Sequence, residues 1–257
     1  MEIGIVGKGA VGDAVHQGLS SIGHNLCHYD IKDSETSIQN ILETELVFLC
    51  VPTDSTESGN CDTSIVESII AQLYTLDYSG VIAIKSTVIP GTTDRMSETY
   101  SSLKICCVPE FLRQKSAYSD FADEHDVLVI GTKDSSIASM VEKAHGILPH
   151  KVVVVSEIEA EVVKYFNNVH NAMEIVFANA MHEMCTKLNA NYQNVLGAIR
   201  HRQNINPNYL RCSNTYRGYG GHCLPKDSLA WKNLAEKLNV DVKIFKDIVE
   251  DNRRYTE

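Results

Sequence analysis

The segment Arg217-Gly218-Tyr219-Gly220-Gly221-His222-Cys223-Leu224-Pro225-Lys226-Asp227 places three glycines ahead of a cysteine, with a Lys-Asp pair after it. Glycine admits backbone conformations closed to other residues and leaves a bound molecule room to approach. A helix is expected from Asp227 to Leu238. A cysteine at its start would feel N-terminal N–H groups and the Lys226 ammonium, and both favour thiolate. The chemistry open to such a group is nucleophilic. The spacing equally admits a buried cysteine acting as a small hydrophobe.

A second glycine pattern stands at the other end of the chain. Gly7-Lys8-Gly9-Ala10-Val11-Gly12 matches GxGxxG between an apolar strand and a helical stretch. In that setting Gly7 permits the tight turn, Gly9 lets the backbone approach a pyrophosphate, and Gly12 lets helix and strand pack closely. The phosphates would rest on the free N–H groups of the helix N-terminus. Asp30, at the end of the next strand, would accept hydrogen bonds from the adenosine ribose hydroxyls and repel an extra phosphate there. That favours NAD as the cofactor. Lys32 nearby keeps NADP as the alternative, and a glycine turn without a nucleotide is the third reading.

The elements that position these loops are read from apolar runs. Strands are expected at Glu2–Gly7, Leu26–Asp30, Leu46–Val51, Val81–Lys85, Leu103–Val108, Val127–Ile130 and Val152–Val155. The runs are nearly continuous rather than alternating, which is the pattern of a parallel sheet covered on both faces. Helical periodicity lies between them, at Ala10–Ile22, Ser64–Leu76 and Ile137–Ile147. From Glu157 to about Leu188 no glycine or proline occurs, and apolar residues recur at intervals of three and four: Val162, Val163, Phe166, Val169, Ala172, Met173, Val176, Phe177, Ala180, Met184. The expected fold is α/β, a Rossmann-type doubly wound parallel sheet with a second, mostly helical domain built on a long central helix. The boundaries are residues 1–155 for the NAD-binding domain and 156–257 for the helical domain carrying the cysteine loop. The wide apolar stripe of the long helix suits packing on other helices and on a second copy of the chain.

Composition narrows the class. Across 257 residues the formal net charge is -10 and the hydrophobic fraction 44%. An acidic chain lacks the basic surface that nucleic-acid binding requires. No apolar run is long enough for a membrane span, and no charged-then-apolar leader precedes the first strand. The eight cysteines show no CxxC pair. A cytoplasmic protein with reduced thiols is expected. His170, His182 and His222 flank the motifs without metal-ligand spacing, so no metal is expected.

Six segments, in order along nearly the whole chain, resemble the UDP-glucose/GDP-mannose dehydrogenase family. They are the opening glycine loop, Val47–Thr53 (VFLCVPT), Lys85-Ser86-Thr87-Val88 with Pro90-Gly91-Thr92-Thr93, Val108-Pro109-Glu110-Phe111-Leu112-Arg113, Glu161–Asn168 (EVVKYFNN), and Gly218–Asp227. The resemblance implies NAD contacts at Gly7, Gly9, Ala10, Val11, Gly12, Asp30, Lys32, Val51, Pro52, Thr53, Ser86 and Thr87. It implies a four-electron oxidation of a nucleotide sugar's primary alcohol to the acid, through a thiohemiacetal and a thioester on Cys223. By the same resemblance, Lys164 and Asn168 hold the substrate oxygen, and Asp227 positions water or tunes Lys164 by charge. Glu110 handles the acid/base or hydrolytic step, with Thr87 near the nicotinamide. Substrate contacts are implied at Glu110, Phe111, Leu112, Arg113, Lys164, Asn168, Tyr209, Gly220 and Cys223, along with a homodimer through the central helix.

Three departures accompany the resemblance. The chain stops where the family's C-terminal UDP-binding domain would begin, so it resembles a form without that domain. Asn204 stands at the position of the family's arginine before the glycine loop, with Arg200, Arg202 and Arg211 nearby. Val108 and Gln114-Lys115 replace the usual residues around Pro109–Arg113. The expectation is a compact NAD-dependent dehydrogenase. The alternatives are a third domain supplied by a separate polypeptide, a non-catalytic NAD-binding or interaction protein, and a one-step dehydrogenase of a smaller hydroxyacid or sugar phosphate.

Overall fold

The computed structural model describes residues 1–256. Seven strands form one sheet: β1 (Glu2–Val6), β2 (Asn25–Tyr29), β3 (Leu46–Leu49), β4 (Val81–Ile84), β5 (Lys104–Cys107), β6 (Leu128–Gly131) and β7 (Val152–Val155). Their order is β2-β1-β3-β4-β5-β6-β7. The central strands are buried on both faces, and adjacent residues serve opposite cores. Leu46 and Phe48 of β3, with Val81 and Ala83 of β4, face one cluster with Ile3, Ile5 and Leu19. Val47 and Leu49, with Ile82 and Ile84, face the other with Ile70 and Leu73. Double burial explains why these strands read as unbroken apolar runs.

Five helices accompany the strands: α1 (Ala10–Ser21), α2 (Ser64–Thr75), α3 (Thr92–Thr99), α4 (Ala117–Ala122) and α5 (Ser135–His145). The sheet is mixed rather than wholly parallel, because β6 meets β5 antiparallel through the single pairing Cys107↔Gly131. All other strand pairs are parallel. Strand order reverses between β1 and β3, with β2 on one side of β1 and β3 on the other. In open α/β sheets ligands bind in the crevice at such a switch point, beyond the carboxyl ends of the strands. The loops that leave those two ends carry Gly7–Gly12 and Val51–Thr53.

The helical part begins with α6 (Glu157–Lys187), an unbroken helix of 31 residues. It continues with α7 (Tyr192–Ile199), α8 (Cys223–Lys237) and α9 (Ile244–Thr256). The chain divides into two compact units. The first is Met1–Asp54 with Asp62–Lys164, and the second is Ser55–Cys61 with Tyr165 onward. The division falls inside α6, and the short strap Ser55–Cys61 belongs to the second unit. Within that unit the strap is tied to α8 by Asn233, whose amide donates to the Ser58 carbonyl at 2.9 Å. Val169, Ala172 and Val176 of α6 pack with Tyr219 and Ile248 in one core of the second unit. Ala178 and Cys185 pack with Tyr192, Leu196, Leu210 and Cys212 in another.

Helix α8 starts at Cys223, four residues before the expected start at Asp227. Pro225 reads as a helix breaker but falls in the first turn, where its missing N–H has no intrahelical partner to lose. Cys223 is therefore the first residue of the helix.

Candidate cofactor site and catalytic groups

The glycine loop is shaped by contacts that only glycine permits at two positions. Gly7 has φ +90°, and a Cβ there would lie 2.7 Å from the Cys50 carbonyl oxygen. A Cβ on Gly12 would run into the Gly7 carbonyl oxygen at 1.8 Å. Gly9, by contrast, faces open space. It caps α1 without any side-chain hydrogen bond to the first-turn N–H groups. Such N–H groups, aligned with the helix dipole, form an anion site. The backbone around Gly9, Ala10 and Val11 thus fits a pyrophosphate.

Asp30 follows β2 and closes the loop from the side. Its carboxylate accepts from the backbone N–H of Lys8 at 2.6 Å and of Lys32 at 2.8 Å. Those two bonds, the Lys8 N–H first, hold its carboxyl below the ordinary value of 3.8. Asp30 is an anion at neutral pH, and each carboxylate oxygen accepts more than one hydrogen bond. The acceptor carboxylate therefore fits a ribose diol and disfavours a 2′-phosphate. Lys32 is exposed beside it. Ile31, 87% exposed between them, was not singled out in the sequence. Beyond β3, Val51 is half-buried, Pro52 exposed and Thr53 buried. Ser86 donates to the carbonyls of Leu49 and Val51 at 3.2 and 2.7 Å, so its hydroxyl holds the turn after β3 in place. Thr87 is half-buried beyond β4.

Lys164 lies in the last part of the first unit. Its ammonium donates to the main-chain carbonyl of Glu110 at 2.6 Å and stands 5.6 Å from the centre of the Phe111 ring. The Glu110 carboxylate points elsewhere. It accepts from Lys85 Nζ at 2.9 Å, and both side chains are buried. Burial pushes the Glu110 carboxyl up, but Lys85, His125 and the Phe111 N–H outweigh it and hold Glu110 below the usual carboxylate range. As positioned, the Glu110 carboxylate is the ion-pair partner of Lys85. Glu161, three residues before Lys164, accepts from Gly91 N at 2.5 Å and from Thr93 N and Oγ1 at 2.8 and 2.7 Å. It fastens the start of α6 to the N-terminus of α3. Phe111 and Leu112 are half-buried. Arg113 forms a two-pronged pair with Asp120, at 3.0 and 2.6 Å.

The second unit gathers the remaining groups. Asn168 is buried, and its amide donates to Asp227 Oδ2 at 2.6 Å. The other Asp227 oxygen accepts from Lys226 Nζ at 2.6 Å. Asp227 is thus engaged by Asn168 and Lys226. Cys223 is the only exposed cysteine among the described residues; Cys27 and Cys50 are half-buried and the other five are buried. Burial pushes the Cys50 thiol up to about 12, and the Cys106 and Cys107 thiols also rise.

The loop before Cys223 is clamped from two sides. Tyr219 N–H donates to Asn252 Oδ1 at 2.6 Å and its carbonyl accepts from Asn252 Nδ2 at 2.9 Å. Asn179 Oδ1 accepts from Arg217 Nε at 2.6 Å and from Gly218 N at 3.2 Å. Neither asparagine was singled out in the sequence, because a lone Asn in a helical pattern carries no local signal. Gly220 and Gly221 face open space, so the loop stays accessible just before the cysteine. Tyr209 is half-buried, and Asn204, Arg200, Arg202 and Arg211 are exposed. Among the described residues no group of three His, Cys, Asp or Glu side chains is arranged to hold a metal. No helix of the described residues is long and apolar enough to cross a membrane.

A nucleotide-type glycine loop at a sheet switch point, with the Asp30 carboxylate beside it, defines a dinucleotide-binding domain. Comparison with known proteins agrees. The NAD binding domain of the UDP-glucose/GDP-mannose dehydrogenase family matches residues 33–148, and the central domain of the same family matches residues 158–254. The chain belongs to the UDP-glucose/GDP-mannose dehydrogenase family, and its first unit carries that family's NAD-binding domain. It is 32% identical over 229 residues to the UDP-glucose 6-dehydrogenase of Rickettsia felis, a match covering 85% of this chain and 50% of that protein. The chain spans about half the length of that protein and of the UDP-glucose 6-dehydrogenases of Rickettsia prowazekii and Rickettsia conorii. Among solved structures, a UDP-glucose dehydrogenase from Pyrobaculum islandicum superposes with TM-score 0.89 at 26% identity, covering 98% of this chain and 68% of that one. A 3-hydroxyisobutyrate dehydrogenase from Mycobacterium tuberculosis shares the fold at TM-score 0.77 and 13% identity, over 92% of its own length.

Proposed function

We propose that this protein is an NAD-dependent nucleotide-sugar 6-dehydrogenase that oxidises a primary alcohol to the acid through Cys223. The observation that carries this reading is the placement of Cys223. It is exposed where most other thiols are buried, it opens α8, and its preceding loop is pinned by Asn179 and Asn252.

NAD, when bound, supplies the two-electron acceptor for each oxidation. The backbone at Gly7, Gly9, Ala10, Val11 and Gly12 would hold its pyrophosphate, Asp30 its ribose, and Ile31 one face of its adenine. Val51, Pro52, Thr53 and Thr87 are proposed on its nicotinamide side, with Ser86 keeping the turn after β3 in shape. The Cys223 sulfur adds to the aldehyde carbon and holds it as a thiohemiacetal, whose oxidation gives a thioester. Lys164 steadies the negative charge that develops on the substrate oxygen, with Asn168 assisting. Asp227 fixes the Asn168 amide, and a water hydrolyses the thioester to the acid and frees the thiol. Glu110 contributes to this site through its main-chain carbonyl on Lys164. Phe111, Leu112, Arg113, Tyr209 and Gly220 are proposed to border the sugar nucleotide. A reducing cytoplasm suits a chain whose cysteines include no CxxC pair.

The same reading includes a homodimer. Phe166, Phe177, Met184 and Leu188 of the α6 region are 71%, 57%, 55% and 70% exposed, although large apolar side chains are ordinarily buried. Light scattering at micromolar concentration is expected to give twice the chain mass, and a monomer throughout would remove this part. The activity itself is tested by screening UDP- and GDP-sugars for NADH release, with the product identified by mass. Release of NADH with a sugar acid as product is expected. Binding of NAD without turnover of any of these sugars, or their turnover to an aldehyde alone, would overturn the proposal.

A further inference from the structure

Lys85 directly follows β4, with its ammonium almost wholly enclosed. The side chain is 1% exposed, and the charge stands 5.4 Å from the Phe48 ring centre and 5.5 Å from that of Phe121. Its ion pair is Glu110, itself buried. A buried pair of this kind is a weak device for stability, because apolar residues of similar volume usually do as well or better. Its geometry has a second consequence. The Glu110 side chain is drawn to Lys85, and the main-chain carbonyl of the same residue accepts from Lys164 Nζ at 2.6 Å. One residue is held by two ammonium groups, one on its carboxylate and one on its carbonyl. The Phe111 N–H, donating to Glu110 Oε1 at 3.0 Å, fixes the peptide between them.

We infer that Lys85 is a positioning residue for Lys164. By anchoring the Glu110 carboxylate, it turns the residue-110 carbonyl onto the Lys164 ammonium and so sets where that ammonium sits. The structural link stands on distances alone; its importance for turnover rests on the role proposed for Lys164 above.

The test uses the full chain with labelled lysine and follows the Lys164 side-chain resonance by NMR, assigned through Lys164→Arg. Two variants are compared, Lys85→Met and the paired Lys85→Met/Glu110→Leu. Every variant keeps a carbonyl at residue 110, so the resonance reports where that carbonyl points. In the paired variant the charges are replaced by apolar groups, which preserves folding even if Lys85→Met alone does not fold. The Lys164 resonance is expected to move in the paired variant while its thermal midpoint stays near that of the native chain. Where Lys85→Met folds, kcat should fall about a hundredfold, the cost of roughly a 1 Å misplacement, with the affinity for NAD unchanged. A folded paired variant with an unmoved Lys164 resonance would overturn the inference. A moved resonance in a protein that turns over no nucleotide sugar would support the link while removing the proposed function.

Discussion

The side-chain amide of Asn168 on α6 donates to the Asp227 carboxylate on α8 at 2.6 Å, and Lys226 occupies the other oxygen of that carboxylate. The bond joins the helix that carries Lys164 to the helix that opens with Cys223. Asp227 is 1% exposed and Lys226 9% exposed, so each needs the other. Asp227→Ala leaves a buried ammonium and is expected to cost about 3 kcal/mol. Lys226→Met combined with Asp227→Leu should recover most of that loss. Urea unfolding of the three proteins checks it, and an Asp227→Ala protein as stable as the native chain would contradict the pairing.

Thiol accessibility follows from the burial pattern. Brief iodoacetamide treatment of the native protein should modify Cys223 first, with Cys106 and Cys107 protected by burial. Peptide mass mapping reads the order of modification. Equal labelling of the buried thiols under native conditions would contradict the placement of Cys223.

Asp30 is proposed to set which dinucleotide is preferred. Loss of a charged hydrogen-bond acceptor typically costs about 1.5–3 kcal/mol, so Asp30→Ala should weaken NAD binding by roughly tenfold or more. NADP binding should fall less, because the repulsion of the 2′-phosphate is removed as well. Fluorescence titration with both nucleotides decides the matter, and an unchanged NAD-to-NADP preference would contradict this role.

Acid sensitivity has a definite sign. His145 is fully buried among Phe48, Phe121 and His125, with ring centres 5.5, 5.8 and 5.8 Å away. Burial first, then the Lys85 charge, pushes its pKa well below the ordinary 6.5. Below pH 6.5 the unfolded chain therefore binds a proton that the folded chain refuses, and stability falls as pH drops. Burial likewise lowers His125. Stability should be flat in these two groups above pH 6.5 and decline below it. His145→Phe should reduce the slope of thermal midpoint against pH between about 6.5 and 5. An identical slope in the variant would contradict this account.

Much of the fold was readable because double burial leaves unbroken apolar runs. The direction of β6 was not, since a strand buried on both faces has no alternation and an apolar run does not encode orientation. The start of α8 lies four residues before the expected Asp227, because Pro225 falls in the first turn and costs the helix no hydrogen bond there. Cys223, Lys164 and Asn168 stood out by spacing and motif. The tie between Asn168 and Asp227 did not, because α6 and α8 meet only through tertiary packing. For the same reason nothing in the sequence tied Lys85 to Glu110, or the reciprocal bonds of Asn252 to Tyr219. The motif that contains Glu110 likewise did not show that its carboxylate pairs with Lys85 and its carbonyl with Lys164.

The central claim is that one substrate is oxidised twice, the second time as its Cys223 adduct, and NADH stoichiometry tests it most directly. With a nucleotide sugar that supports turnover, two NADH per acid formed are expected from the native protein, and Cys223→Ser should lose the acid product. One NADH per substrate, with full activity in Cys223→Ser, would contradict it.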